Sequence, residues 1–311
     1  MATPWSSAYH APVLAEEVLR LLGQASTVVD GTLGGGGHAL ALFESEGVES
    51  VIGIDRDPGA IETARQRLSE FEKSGRFRAI AGNYADPAVI AELPARVDAV
   101  LLDLGVSSRQ LDAEDRGFTF REGARLDMRM DPDAPVDAAG WLATADEKTI
   151  ADVLHGYADE RKAYRMAREI VRRRETRPFA TSDDLVGAIR AVLGPRSGPP
   201  DFARIFQAIR IAVNDELTGL AAALPALRDR LVPGGRFLVI TYHSGEDRLV
   251  KNAFREWSAD CVCPPRQPVC TCRGKALGET LTRKAIVAGE AEIAANPRAR
   301  SAHLRAWQSA R

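Results

Sequence analysis

Asp30 in VVDG marks a strand end, while Asp55 in VIGIDRDP and Asp103 in LLDLG close short apolar runs at positions that invite chemistry. Between the first two lies GTLGGGGHAL, in which Gly34, Gly35, Gly36 and Gly37 precede a helix starting near His38. Glycines let a backbone turn sharply and present free N–H groups to a ligand at a helix N-terminus. Asp55, about 20 positions further on, stands where a carboxylate accepts hydrogen bonds from both hydroxyls of a ribose. These residues alone do not choose a cofactor, because Gly34, Gly36 and Ala39 also satisfy the G-x-G-x-x-A form of a dinucleotide fingerprint. A NAD-dependent oxidoreductase therefore stands as an alternative enzyme. Asp103 is a candidate functional carboxylate, against a purely local role in capping the turn after its strand.

The elements that must hold these groups read as parallel β-α-β units. Residues 27–30, 50–55, 77–81 and 97–104 are continuous apolar runs, as expected of strands buried on both faces, and a helical segment at 58–71 separates two of them. Ligands of such a sheet sit at the C-terminal ends of its strands, where all three aspartates fall. After 104 the rhythm stops, and helical patterns at 148–155, 160–174 and 182–193 follow a polar loop. It resumes with a long helical stretch at 205–231, a turn at Pro233-Gly234-Gly235 and a strand at 236–242. The expected division is a discontinuous catalytic domain, 1–110 with 206–311, interrupted by a helical substrate-recognition domain, 111–205. The basic segment 281–311 either folds back on the catalytic unit or touches RNA.

The length of 311 residues suits one α/β domain with an insertion. A hydrophobic content of 45% with 27% charged residues is that of a soluble globular protein, and no apolar run approaches the roughly 20 residues of a membrane span. Residues 1–9 lack the features of a secretory or organelle leader, so a cytoplasmic location is expected. With a formal net charge of -2, nucleic-acid binding has to rest on a local patch. The candidate is a helix carrying Arg161, Lys162, Arg165, Arg168, Arg172, Arg173, Arg174 and Arg177 against Glu169 and Glu175, although a solvated helix face would look the same. Cys261, Cys263, Cys270 and Cys272 are clustered, unlike a secreted disulfide framework, and fit a reducing compartment. They could furnish four thiolates to a structural zinc, but C-x-C differs from the usual C-x-x-C spacing and a Pro-braced loop of reduced thiols explains them too. No metal is assigned.

LVPGGRFLVITYH resembles the turn and strand after the last large helix of class I methyltransferases, and LLDLGVSS resembles the end of their catalytic strand. An ordered set of motifs sharpens this: HAPVLAEEVL, DGTLGGGGH, GIDRDP, LLDLGVSSRQLD, RGFTF, LDMRMD, RIFQAIRIAVNDEL, YHSGEDRLVK, LTRK and NPRARSAHLR. Through them, nearly the whole chain resembles the ribosomal RNA small-subunit methyltransferase H (MraW-type) family. The resemblance implies a Rossmann-like class I sheet with an inserted helical domain, S-adenosylmethionine as cofactor, and methylation of a cytosine N4 in the decoding region of 16S ribosomal RNA. It implies cofactor contacts from Gly36, Gly37, His38, Asp55, Tyr84, Asp103 and Gln110. Phe206, Gln207, Arg210, Asn214 and Glu216 carry the family's helix motif, and His243 follows a strand at its ligand-facing end. Asp103, His243 and Asn214 are thus the catalytic candidates. Phe118, Phe120, Arg210, Arg172 and Arg173 are the candidates for substrate, the rings for stacking on a flipped base or simply for the core. Two departures stand in the FHSLEDR motif, Tyr242 for Phe and Gly245 for Leu; His303 replaces a common Lys. A non-enzymatic ribosome-assembly factor on the same fold is the remaining alternative, and a homodimer is left open.

Overall fold

The computed structural model describes residues 12–107, 110, 111, 113–264 and 266–310. They form two compact units, one built from residues up to Gly105 and from Leu217 onward, the other from Val106–Glu216.

The first unit carries a single sheet. Its strands are β1 (Thr27–Asp30), β2 (Ser50–Asp55), β3 (Phe77–Ala81), β4 (Val97–Asp103), β5 (Leu231–Thr241), β6 (Gly278–Thr280), β7 (Ile286–Val287) and β8 (His303–Ser309). Their order is β3-β2-β1-β4-β5-β8-β6, with β7 also on β8. The pairings among β3, β2, β1, β4 and β5 are parallel, and β8 runs antiparallel to β5, β6 and β7. α1 (Ala15–Leu22) precedes β1, and between β1 and β4 the helices are α2 (Gly37–Glu44), α3 (Pro58–Arg67), α4 (Ser69–Lys73) and α5 (Pro87–Ala91). Asp57 and Asp86 start α3 and α5 by accepting from Gly59 N and Ala88 N, each with proline at the first helical position. Ala99, Val100, Leu101 and Leu102 of β4 are all fully buried, which is why that run shows no polar alternation. Connections leave β1 toward β2 on one side and β4 lies on the other, so the chain reverses direction at β1/β4, the place where open α/β sheets gather ligands.

The second unit consists of α6 (Ala138–Thr144), α7 (Glu147–Ala158), α8 (Ala163–Arg174), α9 (Ser182–Leu193), α10 (Pro199–Val213) and the loop leading to α6. Leu126, Met128, Leu142, Ile150, Leu154, Met166, Ile170, Leu185, Ile189, Ile205 and Ile209 make its own core. After it come α11 (Glu216–Arg228), α12 (Ser244–Trp257) and α13 (Glu290–Ala295).

Three expectations change. The helical stretch 205–231 is two helices, because Asn214 caps α10 and Asp215 takes a left-handed φ of 49°. The expected domain boundary at 206 consequently falls inside α10, whose residues pack in the second unit. The Pro233-Gly234-Gly235 turn lies within β5 as a bulge: the register jumps from Val97↔Leu231 to Ala99↔Arg236, and Gly234 has φ 80°. The segment after 281 folds back as β7 and β8. Among the described residues no helix is long and apolar enough to cross a membrane.

Candidate active site

The C-terminal ends of β1, β2 and β4 bring the three aspartates into one electrostatic neighbourhood. After Asp30 the chain turns through Gly31, where a Cβ would run into the Leu102 side chain. It then reaches Gly36, which opens α2 with φ 73° and packs against Ala64 and Leu68. A side chain at either position would push the loop off the sheet. Asp55 holds this loop: Oδ2 accepts from Gly34 N at 2.8 Å and Oδ1 from Asp57 N at 2.9 Å. Burial pushes the Asp55 carboxyl up, and these two N–H donors only partly offset it.

Asp103 is fixed at its backbone by a bond from its N–H to Thr32 Oγ1, 2.6 Å. Its Oδ1 accepts from the Tyr242 hydroxyl at 2.8 Å. Its Oδ2 lies 3.3 Å from His38 Nε2, a charge contact without the alignment of a hydrogen bond. Burial by itself would depress His38, but contact with Asp103 and the charges of Asp103 and Asp30 outweigh it and raise the imidazole above its ordinary value. Asp30 is fully buried; Oδ1 accepts from Thr32 N at 3.2 Å and Oδ2 has no partner. Desolvation raises it to about 6 against the opposing charge of His38. Tyr242 is lifted well above the usual phenol range, first by burial and then by the Asp103 charge, so it stays a donor to Asp103.

Such a set, acidic at three strand ends and rich in backbone N–H groups at α2, suits a ligand that joins a cationic centre to a ribose and a carboxylate. Tyr84, buried after β3, belongs to the same hydrophobic core as Val29, Ile54 and Leu102.

His243 is the N-cap of α12. Its Nδ1 accepts from Glu246 N at 3.4 Å, while Glu246 Oε2 accepts from Tyr242 N at 2.8 Å and His243 N at 3.3 Å. Acceptance at Nδ1 puts the proton of a neutral ring on Nε2, which lies 3.2 Å from Glu246 Oε1 without hydrogen-bond alignment. That nitrogen is buried against Glu246.

The other candidates belong to the second unit. Gln110 Oε1 accepts from Ser107 N at 3.0 Å. Asn214 uses its amide on backbone, accepting from Met130 N at 2.7 Å and donating to Met128 O at 2.7 Å and Arg210 O at 2.9 Å. Arg210 is held bidentately by Glu216, both bonds 2.8 Å. Phe118 is a core residue, and Phe120 meets Phe202 and Phe206 edge-on at 5.9 and 6.0 Å. Arg172 and Arg173 both bond Glu169, which their hydrogen bonds pull down to about 2. Arg172 remains 64% exposed, enough to reach a phosphate as well.

Sequence reasoning missed the hydroxyl of Tyr242 as a partner of Asp103. The signal was present in the Tyr-for-Phe departure, which adds one donor. Asp30 was read as a strand end, and nothing local announced its burial.

The chain matches the MraW methylase family over residues 7–310. It is 65% identical over 303 residues to the ribosomal RNA small subunit methyltransferase H of Gemmatimonas aurantiaca, covering 97% of this chain and 96% of that one. The proteins of the same name from Heliobacterium modesticaldum and Myxococcus xanthus are 44% and 45% identical, each over 97% of this chain and over 99% and 98% of their own.

Proposed function

The chain belongs to the MraW methylase family, and from that premise we propose that it transfers a methyl group from S-adenosylmethionine to the N4 amine of one cytosine in the decoding region of 16S ribosomal RNA. The observation that carries the mechanism is Asp103 at the end of β4, flanked by the Tyr242 hydroxyl and by His38.

When bound, the cofactor supplies a methyl carbon activated by a sulfonium leaving group. The chain's task is then to bind, orient and polarise. Gly37 would offer its backbone N–H to the ligand, Gly36, whose own N–H is bonded to Leu33 O, would let the loop approach it closely, Asp55 would accept from its ribose hydroxyls, and Tyr84 would lie against its adenine. Asp30, Asp55 and Asp103 together favour the cation. A cytosine amine is a weak nucleophile because its lone pair is delocalised into the ring, so an acceptor for its N–H groups promotes the tetrahedral nitrogen of the transition state. Asp103 is that acceptor; the Tyr242 bond fixes one of its oxygens and aims the other, and in-line alignment does the rest. The proton lost by the amine passes to solvent. His243, the N-cap of α12, holds the end of β5 beside Tyr242 and in that way positions the substrate base. Asn214 and Arg210 act by shaping the second unit, Phe118 and Phe120 by filling its core, and Arg172 and Arg173 by contacting RNA phosphates. Gln110 is assigned to the cofactor on the resemblance alone. A ribosomal substrate supports a cytoplasmic location.

The oxidoreductase alternative shares only Gly36 and Asp55 with this reading, and family membership lends it no support. The decisive experiment supplies labelled S-adenosylmethionine to 30S subunits lacking the native modification and analyses the nucleosides. N4-methylcytidine at one site is expected with the wild type and none with Asp103→Ala, whose circular dichroism should remain native. Wild-type turnover in that variant would remove Asp103 from the mechanism, and no transfer by the wild type despite cofactor binding would favour an assembly factor.

A further inference from the structure

Cys261, Cys263, Cys270 and Cys272, the four cysteines of the chain, take no part in the proposed methyl transfer, yet their sulfurs converge. All four Sγ atoms lie within 4.8 Å of one another. Cys270 is 3.8 Å from Cys261, 3.9 Å from Cys263 and 3.5 Å from Cys272, and Cys272 is 3.8 Å from Cys261. Four thiolates around a zinc ion at about 2.3 Å stand about 3.8 Å apart along the edges of the tetrahedron. Disulfides would require about 2.05 Å, and all four cysteines are free. We propose that Cys261, Cys263, Cys270 and Cys272 hold one zinc ion as an all-thiolate structural site.

The surrounding chain supports this. Among the described residues the segment between α12 and β6 has no helix or strand to organise it, and its apolar residues Val262 and Val269 are 41% and 69% exposed. Its base is closed by Leu277 N to Trp257 O at 2.7 Å, Ala276 N to Asp260 Oδ1 at 3.2 Å and Arg273 Nη2 to Ala259 O at 3.2 Å. At its tip Gln267 Nε2 donates to Val269 O at 3.0 Å and Thr271 Oγ1 at 2.7 Å, and between tip and base the four sulfurs join the two arms. Val262 N donates to Cys272 Sγ at 3.3 Å, the N–H contact that stabilises a metal-bound thiolate. The short C-x-C spacing works because the two pairs come from opposite arms of a turn, marked by Gln267 N to Pro264 O at 3.0 Å. An all-sulfur donor set excludes magnesium and calcium and leaves zinc or iron; zinc has no redox chemistry to protect in a loop with Cys261 and Cys270 exposed.

Elemental analysis of the full chain, purified anaerobically without chelator or metal-affinity tag, tests the site. About one zinc per chain is expected. Substituting cobalt should give the absorption of a tetrahedral tetrathiolate centre. Cys270→Ser with Cys272→Ser should lower zinc content at least about tenfold while cofactor binding persists. Iron in place of zinc, disulfides by mass analysis, or four freely titrating thiols in metal-free native protein would each overturn the assignment.

Discussion

A carboxyl group sealed from water resists ionising, and Asp30 carries that penalty with one oxygen unpartnered. Its value rises from 3.8 to about 6, chiefly by desolvation, so between those limits the native state keeps a proton that the unfolded chain has released. Stability therefore falls as pH rises through that window, by up to about 3 kcal/mol from this group, and stays lower above it. Asp30→Asn should remove that decline, seen as a smaller loss of urea midpoint between pH 4 and 7 than in the wild type. Equal losses in both proteins would mean that Asp30 is hydrated in solution. The places of single residues were legible in the sequence where they follow from local chain geometry: Gly36, Asp55 and Asp103 are set by the ends of apolar runs. The Tyr242 bond to Asp103 was not, since it spans 139 positions and exists only because β5 lies beside β4. Phe118 and Phe120 could not be divided between core and base stacking, because both roles need the same apolar ring, and the ring neighbours of Phe120, Phe202 and Phe206, come from a helix distant in sequence.

Among the elements, the junction of α10 and α11 shows how a side chain can do the work of a loop. Asn214 ends α10 and bonds the backbone of Met128 and Met130, where Met128 is held at φ 61°. Asn214→Ala should destabilise the protein by about 3 kcal/mol, because it strands polar backbone groups beside buried methionines. Chemical denaturation reads this directly, and a variant of unchanged stability with no turnover would instead make Asn214 a participant in the chemistry. Strands β1–β4 were readable to within a residue, since strands buried on both faces cannot hide their composition. The break at Asn214 and the bulge in β5 were not, because the apolar period of 205–231 runs on through the first and a Pro-Gly-Gly sequence is equally good as a turn outside a strand.

At the scale of the molecule, β8 lies inside the sheet, paired to β5 on one side and to β6 and β7 on the other, with Trp307 fully buried. A chain ending before His303 would expose the edge of β5 and empty that core, and it should be recovered as aggregate or as a species lacking native near-ultraviolet dichroism. A soluble monomer with the native spectrum would contradict the structure here. The interruption of the sheet by a helical unit was legible as a pause in the β-α rhythm, whereas the strand order was not, since apolar runs carry no label for their neighbours. That discontinuity also sets a timetable for the newborn chain. The second unit is contiguous and can close its core as soon as it is made, while the edge of β4 must wait for β5, whose Leu231 lies 135 positions after Arg96, and Thr241 of β5 waits a further 62 for His303. Loop closure across such spans adds little free energy but delays the search, so the helical body is finished early and the catalytic sheet is the last thing to come into being.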